Sequence, residues 1–402
     1  MLFLLITKSL NNTFYTLLFS SIGHALMHMF AAFYFVIVLT IEKEWNISYD
    51  QLIRLWSLGA LLIGLGAIPF GWLSDRWSRS GTMTIMFIGM GLASILCGLS
   101  TSVSFLFFSL SLLGLFCSIY HPVGIPWVIH AANKQGRALG VNGIFGGVGI
   151  GSGAFVAGTL TELLNWQLAF IMPGLISIII GFILIYLIVI DKISYKNYFI
   201  KNDQKDHSRN EMILIALIML LSMFALGLSF HNTQTALPKV FEIRIGNINS
   251  IQIGFMIAVI YFISGATTFI GGLLADRFNL KKIYLIGIFF QFPCYLGIAY
   301  ISGYSLLVLC ILAAVFNASI LPTENLLLGR FTPQKYHGVV YGIKFILAFG
   351  SGPISVFLIS EIYSITLEFT YLFLINAIMM AVVSIFIIFL PIKSNQKIAT
   401  QD

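Results

Sequence analysis

Twelve runs of about 20 apolar residues follow one another along this chain of 402 residues, and they constrain its fold more than any other feature. A helix of about 20 residues spans the hydrocarbon core of a bilayer, because each residue adds about 1.5 Å along the axis. Helices are required because backbone groups in lipid must bond within their own segment, and the runs are too long and unalternating for barrel strands. We therefore predict an all-α membrane protein with twelve transmembrane helices. The predicted spans are 14–40, 51–73, 81–99, 103–129, 138–160, 167–190, 212–238, 251–274, 283–301, 304–328, 338–360 and 368–391.

The composition excludes a water-soluble protein. Apolar residues make up 58% of the chain and charged residues only 9%, against about 25% charged in soluble domains. The net charge of +7 does not indicate a nucleic-acid partner, because the basic residues lie in short segments between apolar runs without interleaved stacking aromatics. The four cysteines lie inside apolar runs with neither disulfide nor metal-ligand spacing. We expect no nucleic acid, no cofactor and no metal site.

The orientation follows from the basic residues in alternate loops. If both termini are cytoplasmic, 17 of the 22 Lys and Arg residues face the cytoplasm, 4 face outward and Lys344 lies within a span. This asymmetry satisfies the positive-inside rule. The start of the chain lacks the cleavage pattern of a signal peptide, so we expect the first span to remain. The predicted location is the inner (plasma) membrane, with multiple spans and both termini cytoplasmic.

The chain contains an internal repeat. The segment Gly71 to Arg76 after the second span returns as Gly272 to Arg277 after the eighth, an offset of 201 residues. Repeats with the same topology predict two six-helix bundles related by an axis along the membrane normal. The predicted bundles are 1–190 and 212–402, the second ending in a short cytoplasmic tail, and 191–211 is the cytoplasmic linker between them.

The loop Gly71-x-Leu73-Ser74-Asp75-Arg76-x-x-Arg79 resembles the signature loop between helices 2 and 3 of the major facilitator superfamily. The resemblance implies the major facilitator fold, in which helices 1, 4, 7 and 10 line a central cavity and two bundles rock to give alternating access. The chain departs from the family pattern at Ser78 and Ser80, which leaves Arg79 as the basic residue at the end of the loop.

The two loop copies are predicted to act in conformational change. Glycine permits close helix approach, and the aspartate can cap the positive N-terminal end of another span, the eleventh for Asp75 and the fifth for Asp276. Such contacts would lock the cytoplasmic side shut. The alternative is that these charges are solvated and serve only the positive-inside rule. The predicted loop residues are Gly71, Asp75, Arg76, Arg79, Gly272, Asp276 and Arg277.

Ionisable residues inside spans are costly and mark a pathway by default. The ionisable residues that fall inside predicted spans lie mostly in spans 1, 4, 7 and 10. Uncharged polar residues accompany them in these spans. The predicted substrate and proton pathway is His24, His28, Tyr120, His121, His231, Asn232, Gln234, Asn317 and Asn325.

His24 and His28 are four residues apart, hence on one helical face, about midway along the first span. Imidazole titrates near neutral pH, so we predict that this pair carries a coupled proton and that transport depends on pH between about 5.5 and 7.5. Three alternatives remain open: bonds to a neighbouring helix, a metal held by the His-x-x-x-His pattern, and a histidine-box membrane enzyme.

Tyr120-His121-Pro122-Val123-Gly124 in the fourth span resembles a stretch of fosmidomycin-resistance-type exporters, which favours export over uptake. Pro122 removes a helix bond and is expected to bend the span beside His121. An equal alternative is that His121 hydrogen-bonds a backbone group that the kink leaves without a partner.

Glu324 and Lys344 are predicted to lie at similar depth near the inner face, where they pair in a structural or gating role. The alternative for Lys344 is that its side chain extends outward to the membrane–water interface.

The sequence contains no phosphate-binding loop motif, so the energy for transport would come from a gradient. We predict a non-enzymatic secondary transporter that moves a small organic solute, coupled to protons and working as a monomer in the bilayer. The alternatives are an uptake permease of the same fold, a non-transporting receptor or scaffold, and the histidine-box enzyme.

Overall fold

The computed structural model describes residues 2–132, 135–194, 209–331 and 337–390. These residues form seventeen α-helices and a 3₁₀ turn at Arg54–Trp56, and they contain no strand. The helices are α1 Leu2–Ala32, α2 Tyr34–Trp45, α3 Tyr49–Ile53, α4 Ser57–Leu65, α5 Ala67–Arg76, α6 Arg79–Gly98, α7 Val103–Cys117, α8 Tyr120–Ala131, α9 Gln135–Leu163, α10 Trp166–Val189, α11 Arg209–Arg244, α12 Ser250–Arg277, α13 Leu280–Tyr300, α14 Ser305–Ser319, α15 Leu321–Phe331, α16 His337–Thr366 and α17 Thr370–Ile388.

Within the described residues, twelve helical segments are long and apolar enough to cross a membrane, one for each predicted span. The predicted all-α fold with twelve transmembrane helices is therefore confirmed. Most boundaries agree within a few residues, although the first span continues to Trp45, five residues beyond its predicted end.

Several spans consist of two or more consecutive helices, which the apolar pattern did not predict. The interruptions at Gly66, at Ser118–Ile119 and at Ile320 each come two to four residues before a proline: Pro69, Pro122 and Pro322. Proline has no N–H for the carbonyl four residues earlier, so the preceding turn loses a hydrogen bond. The perturbation expected beside His121 is an interruption between α7 and α8 at Ser118 and Ile119, which both keep helical backbone dihedrals.

The chain divides into two compact units. Unit 1 contains residues 1–200 with 248–258, and unit 2 contains residues 201–247 with 259–402. Of the predicted linker 191–211, residues 195–208 lie outside the described residues, as do Lys134 and the predicted cytoplasmic tail beyond 390. The predicted bundle boundaries stay a prediction.

In unit 1, α6 packs along α10, and α1 packs along α9. The first of these contacts depends on Gly91, where an added Cβ would lie 2.5 Å from the Gly174 carbonyl oxygen. Small residues allow backbones in a membrane to approach this closely. In unit 2, α13 packs along α17 and α11 along α16.

Large apolar side chains cover the outside of both units. Phe182 and Val189 in unit 1 and Phe357 and Ile365 in unit 2 are each more than half exposed. Apolar patches of this kind would promote aggregation in water, whereas lipid tails are a favourable solvent for them. The surface therefore fits a bilayer.

Candidate functional site

Three imidazoles meet inside unit 1, and we call them the histidine cluster: His24 and His28 from α1 and His121 from α8. The ring centroids of His24 and His28 are 4.9 Å apart, and each lies 5.5 Å from the His121 centroid. One ring nitrogen from each residue lies within 4.8 Å of the others. The structure thus adds His121 to the pair that the sequence placed on one face of the first span.

The His24 ring is fixed by its neighbours. Its Nδ1 lies 2.7 Å from the backbone carbonyl oxygen of Asn142, and because a carbonyl only accepts, Nδ1 carries the proton. The lone pair of the neutral ring is then on Nε2. The Tyr120 ring stacks on a face of the imidazole, with centroids 4.5 Å apart and planes 13° apart.

Tyr120 is held in turn by buried polar groups. Its hydroxyl donates to Asn142 Oδ1 at 2.8 Å and lies 3.2 Å from Ser20 Oγ. Ser20 donates to the Gly124 carbonyl at 3.0 Å, which ties α1 to α8. Residues of three helices therefore hold the stacked Tyr120 and His24 rings in place.

Local backbone features bring these residues together. His24 and His28 are one turn apart on α1, and the break before Pro122 places Tyr120 and His121 at the start of α8. At Gly146 of α9, an added Cβ would lie 2.9 Å from His24 Nε2 and 3.4 Å from His28 Cδ2. The absence of a side chain at position 146 therefore leaves room for both rings.

Unit 2 contains a buried ion pair between Glu324 and Lys344. Lys344 Nζ lies 2.6 Å from Glu324 Oε1, and the exposed fractions of the two side chains are 10% and 3% for Lys344 and Glu324. The predicted pairing is confirmed, and its gating role stays a prediction. Lys344 also donates to Asn325 Oδ1. Its ammonium group is thus directed into the protein and not outward to the interface.

The other carboxylate oxygen of Glu324 belongs to a hydrogen-bonded chain. The Tyr284 hydroxyl donates to Glu324 Oε2 at 3.1 Å and lies 2.9 Å from Ser222 Oγ. Residues of α11, α13, α15 and α16 are therefore linked through one carboxylate.

The remaining predicted pathway residues of unit 2 bond to separate partners. His231 Nε2 lies 3.1 Å from the Ala348 carbonyl oxygen. Asn232 donates to Asn376 Oδ1 at 2.8 Å, and Asn317 donates to Gln291 Oε1 at 3.2 Å. These three contacts connect helices within the unit. Gln234 is buried as well.

The first loop copy is an ordered structure. Arg79, which is buried, lies with Nη2 3.2 Å from Asp75 Oδ1, and Arg76 lies over the Trp72 ring at 4.9 Å. An added Cβ at Gly71 would lie 3.2 Å from Pro122 Cβ, whereas at Gly272 it would meet no described atom within 4 Å. A close helix approach is thus present at Gly71, and the role predicted for Gly272 stays a prediction. The caps predicted for Asp75 and Asp276 on distant spans stay predictions.

Position 80 and its repeat partner, position 281, both bond carbonyls at or just after the end of the last helix of their own half. Ser80 Oγ donates to the Ser194 carbonyl at 3.1 Å, and Lys281 Nζ donates to the Ile388 and Leu390 carbonyls at 2.7 Å each. Ser80, which departs from the family pattern, thus makes this contact through a neutral donor.

An ion pair at one end of unit 2 was missed by the sequence analysis. Arg244 Nε donates to Glu368 Oε1 at 2.8 Å, and the same guanidinium bonds Glu368 Oε2, the Ile298 carbonyl and Thr370. Burial alone would raise the pKa of Glu368. The hydrogen bonds and charge of Arg244, with the Phe369 N–H and the Thr370 hydroxyl, nevertheless hold this pKa below its ordinary value.

Sequence reasoning also missed Asn142 and Ser20 beside the histidine cluster and Tyr284 and Ser222 beside Glu324. All four are polar side chains inside apolar runs, which was the available signal. Hydroxyl and phenol groups are common enough in membrane helices that this signal alone does not select them.

Comparison with known proteins agrees with the fold. The sequence profile of the Major Facilitator Superfamily matches residues 20–238 and 212–401. The riboflavin transporter RibZ of Clostridioides difficile is 23% identical over 349 residues, which cover 74% of this chain and 76% of that protein. The niacin transporter NiaP of Acinetobacter baylyi is 26% identical over 144 residues, covering 35% of this chain and 33% of that protein.

Among solved structures, the chain is similar to a bacterial homologue of the human lysosomal transporter Spinster in an inward-facing, unoccupied conformation. The TM-score is 0.69 at 14% identity, and the match covers 94% of this chain and 95% of that one. The likeness at this identity concerns the fold. Family and fold are those of transporters and not of enzymes, which removes the histidine-box alternative. With its twelve membrane-length helices and a profile match over nearly its whole length, this multi-pass membrane protein belongs to the major facilitator superfamily.

Proposed function

We propose that the protein is a secondary transporter that carries a small organic solute across the inner membrane by alternating access, working as a monomer. The observation that carries the proposal is the concentration of ordered polar groups around His24, His121 and Tyr120 inside membrane-length helices of unit 1. Buried polar groups in a membrane segment are costly and mark solute or ion paths. The names of the riboflavin and niacin transporters support an organic solute.

The driving force in this proposal is a proton gradient. The sequence contains no phosphate-binding loop for ATP, and Glu324 is a titratable carboxyl group inside a span. The titratable groups that contact it are Lys344 from α16 and Tyr284 from α13. Movement of α15 away from α16 would separate Glu324 from Lys344, so the ion pair is suited to a gating role in this cycle. The sequence-based expectation that His24 and His28 carry the proton stays a prediction.

The two loop copies serve this cycle as parts of the cytoplasmic gate. The Asp75–Arg79 contact supports this role, because it holds a buried guanidinium at the start of α6. The distribution of basic residues supports cytoplasmic termini. We favour export because of the resemblance at residues 120–124 to fosmidomycin-resistance-type exporters.

Flux into liposomes tests the proposal. Purified protein is reconstituted with a pH-sensitive dye inside the vesicles, and riboflavin and nicotinate are added as first probes after a thermal-shift screen for ligands. A transporter should give solute movement that depends on an imposed pH gradient, and the sign of the gradient that drives accumulation gives the direction. A receptor or scaffold would bind a ligand in the thermal-shift screen and move none of it.

A further inference from the structure

The histidine cluster has the composition of a transition-metal site. Three neutral imidazoles are ligands for Zn²⁺, Co²⁺ and Ni²⁺, and the cluster offers one nitrogen from each residue within 4.8 Å. In a tetrahedral site with bonds of about 2.0 to 2.1 Å, two ligand nitrogens lie about 3.3 Å apart. With His24 held in place, ring rotations that move the His28 and His121 nitrogens by about 1.5 Å would close this difference.

The surroundings of His24 favour coordination. Its Nδ1–H donates to the Asn142 carbonyl, which leaves the lone pair on Nε2 to bind an ion. A histidine that binds a metal almost always donates its other N–H in this way, because that bond fixes the tautomer and the ring orientation. Tyr120 stacks on the same ring and further restricts it. The hydrogen bond and the stacked ring are therefore present before any ion binds.

The number of ligands indicates an exchangeable ion and not a structural one. Structural zinc sites use four protein ligands and are closed, whereas three ligands leave a position open. His28 and His121 are only partly buried, while His24 is buried. Three neutral ligands also leave the double charge of the ion uncompensated, which favours a negatively charged donor in the open position.

We propose that His24, His28 and His121 bind one divalent transition-metal ion, and that a donor group of the transported solute completes its coordination. The second half of this proposal rests on the proposed transport function. The first half does not, since the purified protein can be tested for metal binding without any flux.

Cobalt is the probe for the first test. The full-length protein is stripped with a chelator and titrated with Co²⁺, and the visible absorption of a tetrahedral ion is recorded together with the metal content after gel filtration. We expect one ion per chain. His24→Gln, His28→Gln and His121→Gln should each weaken binding by at least about tenfold. His130→Gln is the matched control, because His130 lies nine residues after His121 on α8, about 13 Å along the axis, and should leave binding unchanged.

A second variant separates coordination from packing. His121→Cys should retain Zn²⁺ binding, because a thiolate is a good zinc ligand, whereas a purely structural imidazole would not be replaced in this way. A well-folded wild type that binds no Co²⁺ or Zn²⁺ would overturn the proposal, and so would cluster variants that bind like the wild type. Solute flux through chelator-stripped protein at the wild-type rate would overturn the metal's part in solute binding while leaving the transport function in place.

Discussion

Lys344 Nζ lies 2.6 Å from Glu324 Oε1, and the two side chains come from helices α16 and α15 with almost no exposure to solvent. Removing one partner leaves the other charge buried and uncompensated, at a cost of about 3 to 5 kcal/mol. We therefore expect Glu324→Gln and Lys344→Met each to lower the thermal unfolding temperature more than the double variant does.

A double-mutant cycle on unfolding of the purified protein measures this coupling. The pair Asp75–Arg79, with Nη2 3.2 Å from Oδ1, is the control, because the Asp75 side chain is 59% exposed and partly exposed pairs contribute about 0 to 1 kcal/mol. Losses that add at positions 324 and 344 would contradict the prediction.

Asp75→Asn and Arg79→Ala should leave the protein inserted and folded but slow or abolish flux. Both variants remove the contact that holds the Arg79 guanidinium, so they alter the loop and not the histidine cluster. Flux in liposomes is compared at equal amounts of monodisperse protein. Lys192→Gln, which removes an exposed charge from the same half, is the control. Wild-type flux from Asp75→Asn would show that the loop does not act in the transport cycle.

Lys281→Met should destabilise the protein more than Ser80→Ala. The lysine makes two charge-assisted hydrogen bonds to carbonyls, worth about 1.5 to 3 kcal/mol each, whereas the serine makes one neutral bond worth about 1 kcal/mol. Thermal unfolding in detergent measures the difference. Lys282→Met removes the adjacent charge and serves as the control. Equal effects at positions 281 and 282 would mean that charge alone, and not the carbonyl contacts, is responsible.

Stability should fall in acid through Glu368. Its folded-state pKa is below the ordinary value, so its contribution is fully present above about pH 4.5 and is lost as the pH falls through the folded pKa. Glu368→Gln should lower stability at neutral pH and reduce the difference between pH 6 and pH 4. The unfolding temperature at pH 6 and at pH 4, on either side of the ordinary value, measures the effect. An unchanged acid profile in the variant would assign the pH dependence to other groups.

The spans were predictable from sequence because the requirement for about 20 apolar residues acts on each segment by itself. The interruptions at Gly66 and Ile320 were not predicted, although Pro69 and Pro322 were visible, because the sequence does not say whether a proline bends a membrane helix or interrupts it. The two prolines therefore indicated where each helix is perturbed, and the packing around them determines the form of the perturbation.

The side-chain clusters were predictable only in part. The fixed period of a helix places His24 and His28 on one face of α1, and depth along the axis brings Glu324 level with Lys344. The periodicity of α8 does not say which of its faces turns toward α1. The contact of His121 with His24 and His28 was therefore not predicted. Arg244 and Glu368 are 124 residues apart, and their contact depends on packing within unit 2.

The break between α7 and α8 lets α8 act as a short lever with its pivot beside Tyr120. Its length of 12 residues gives about 18 Å, so a tilt of about 10° would displace the far end at Ala131 by about 3 Å. His121, next to the pivot, would move by only a few tenths of an ångström. The same tilt would separate the Ala131 carbonyl from Thr13 Oγ1, which donates to it at 3.2 Å. The contact between α1 and α8 at this end can thus open while the backbone at His121 stays almost in place.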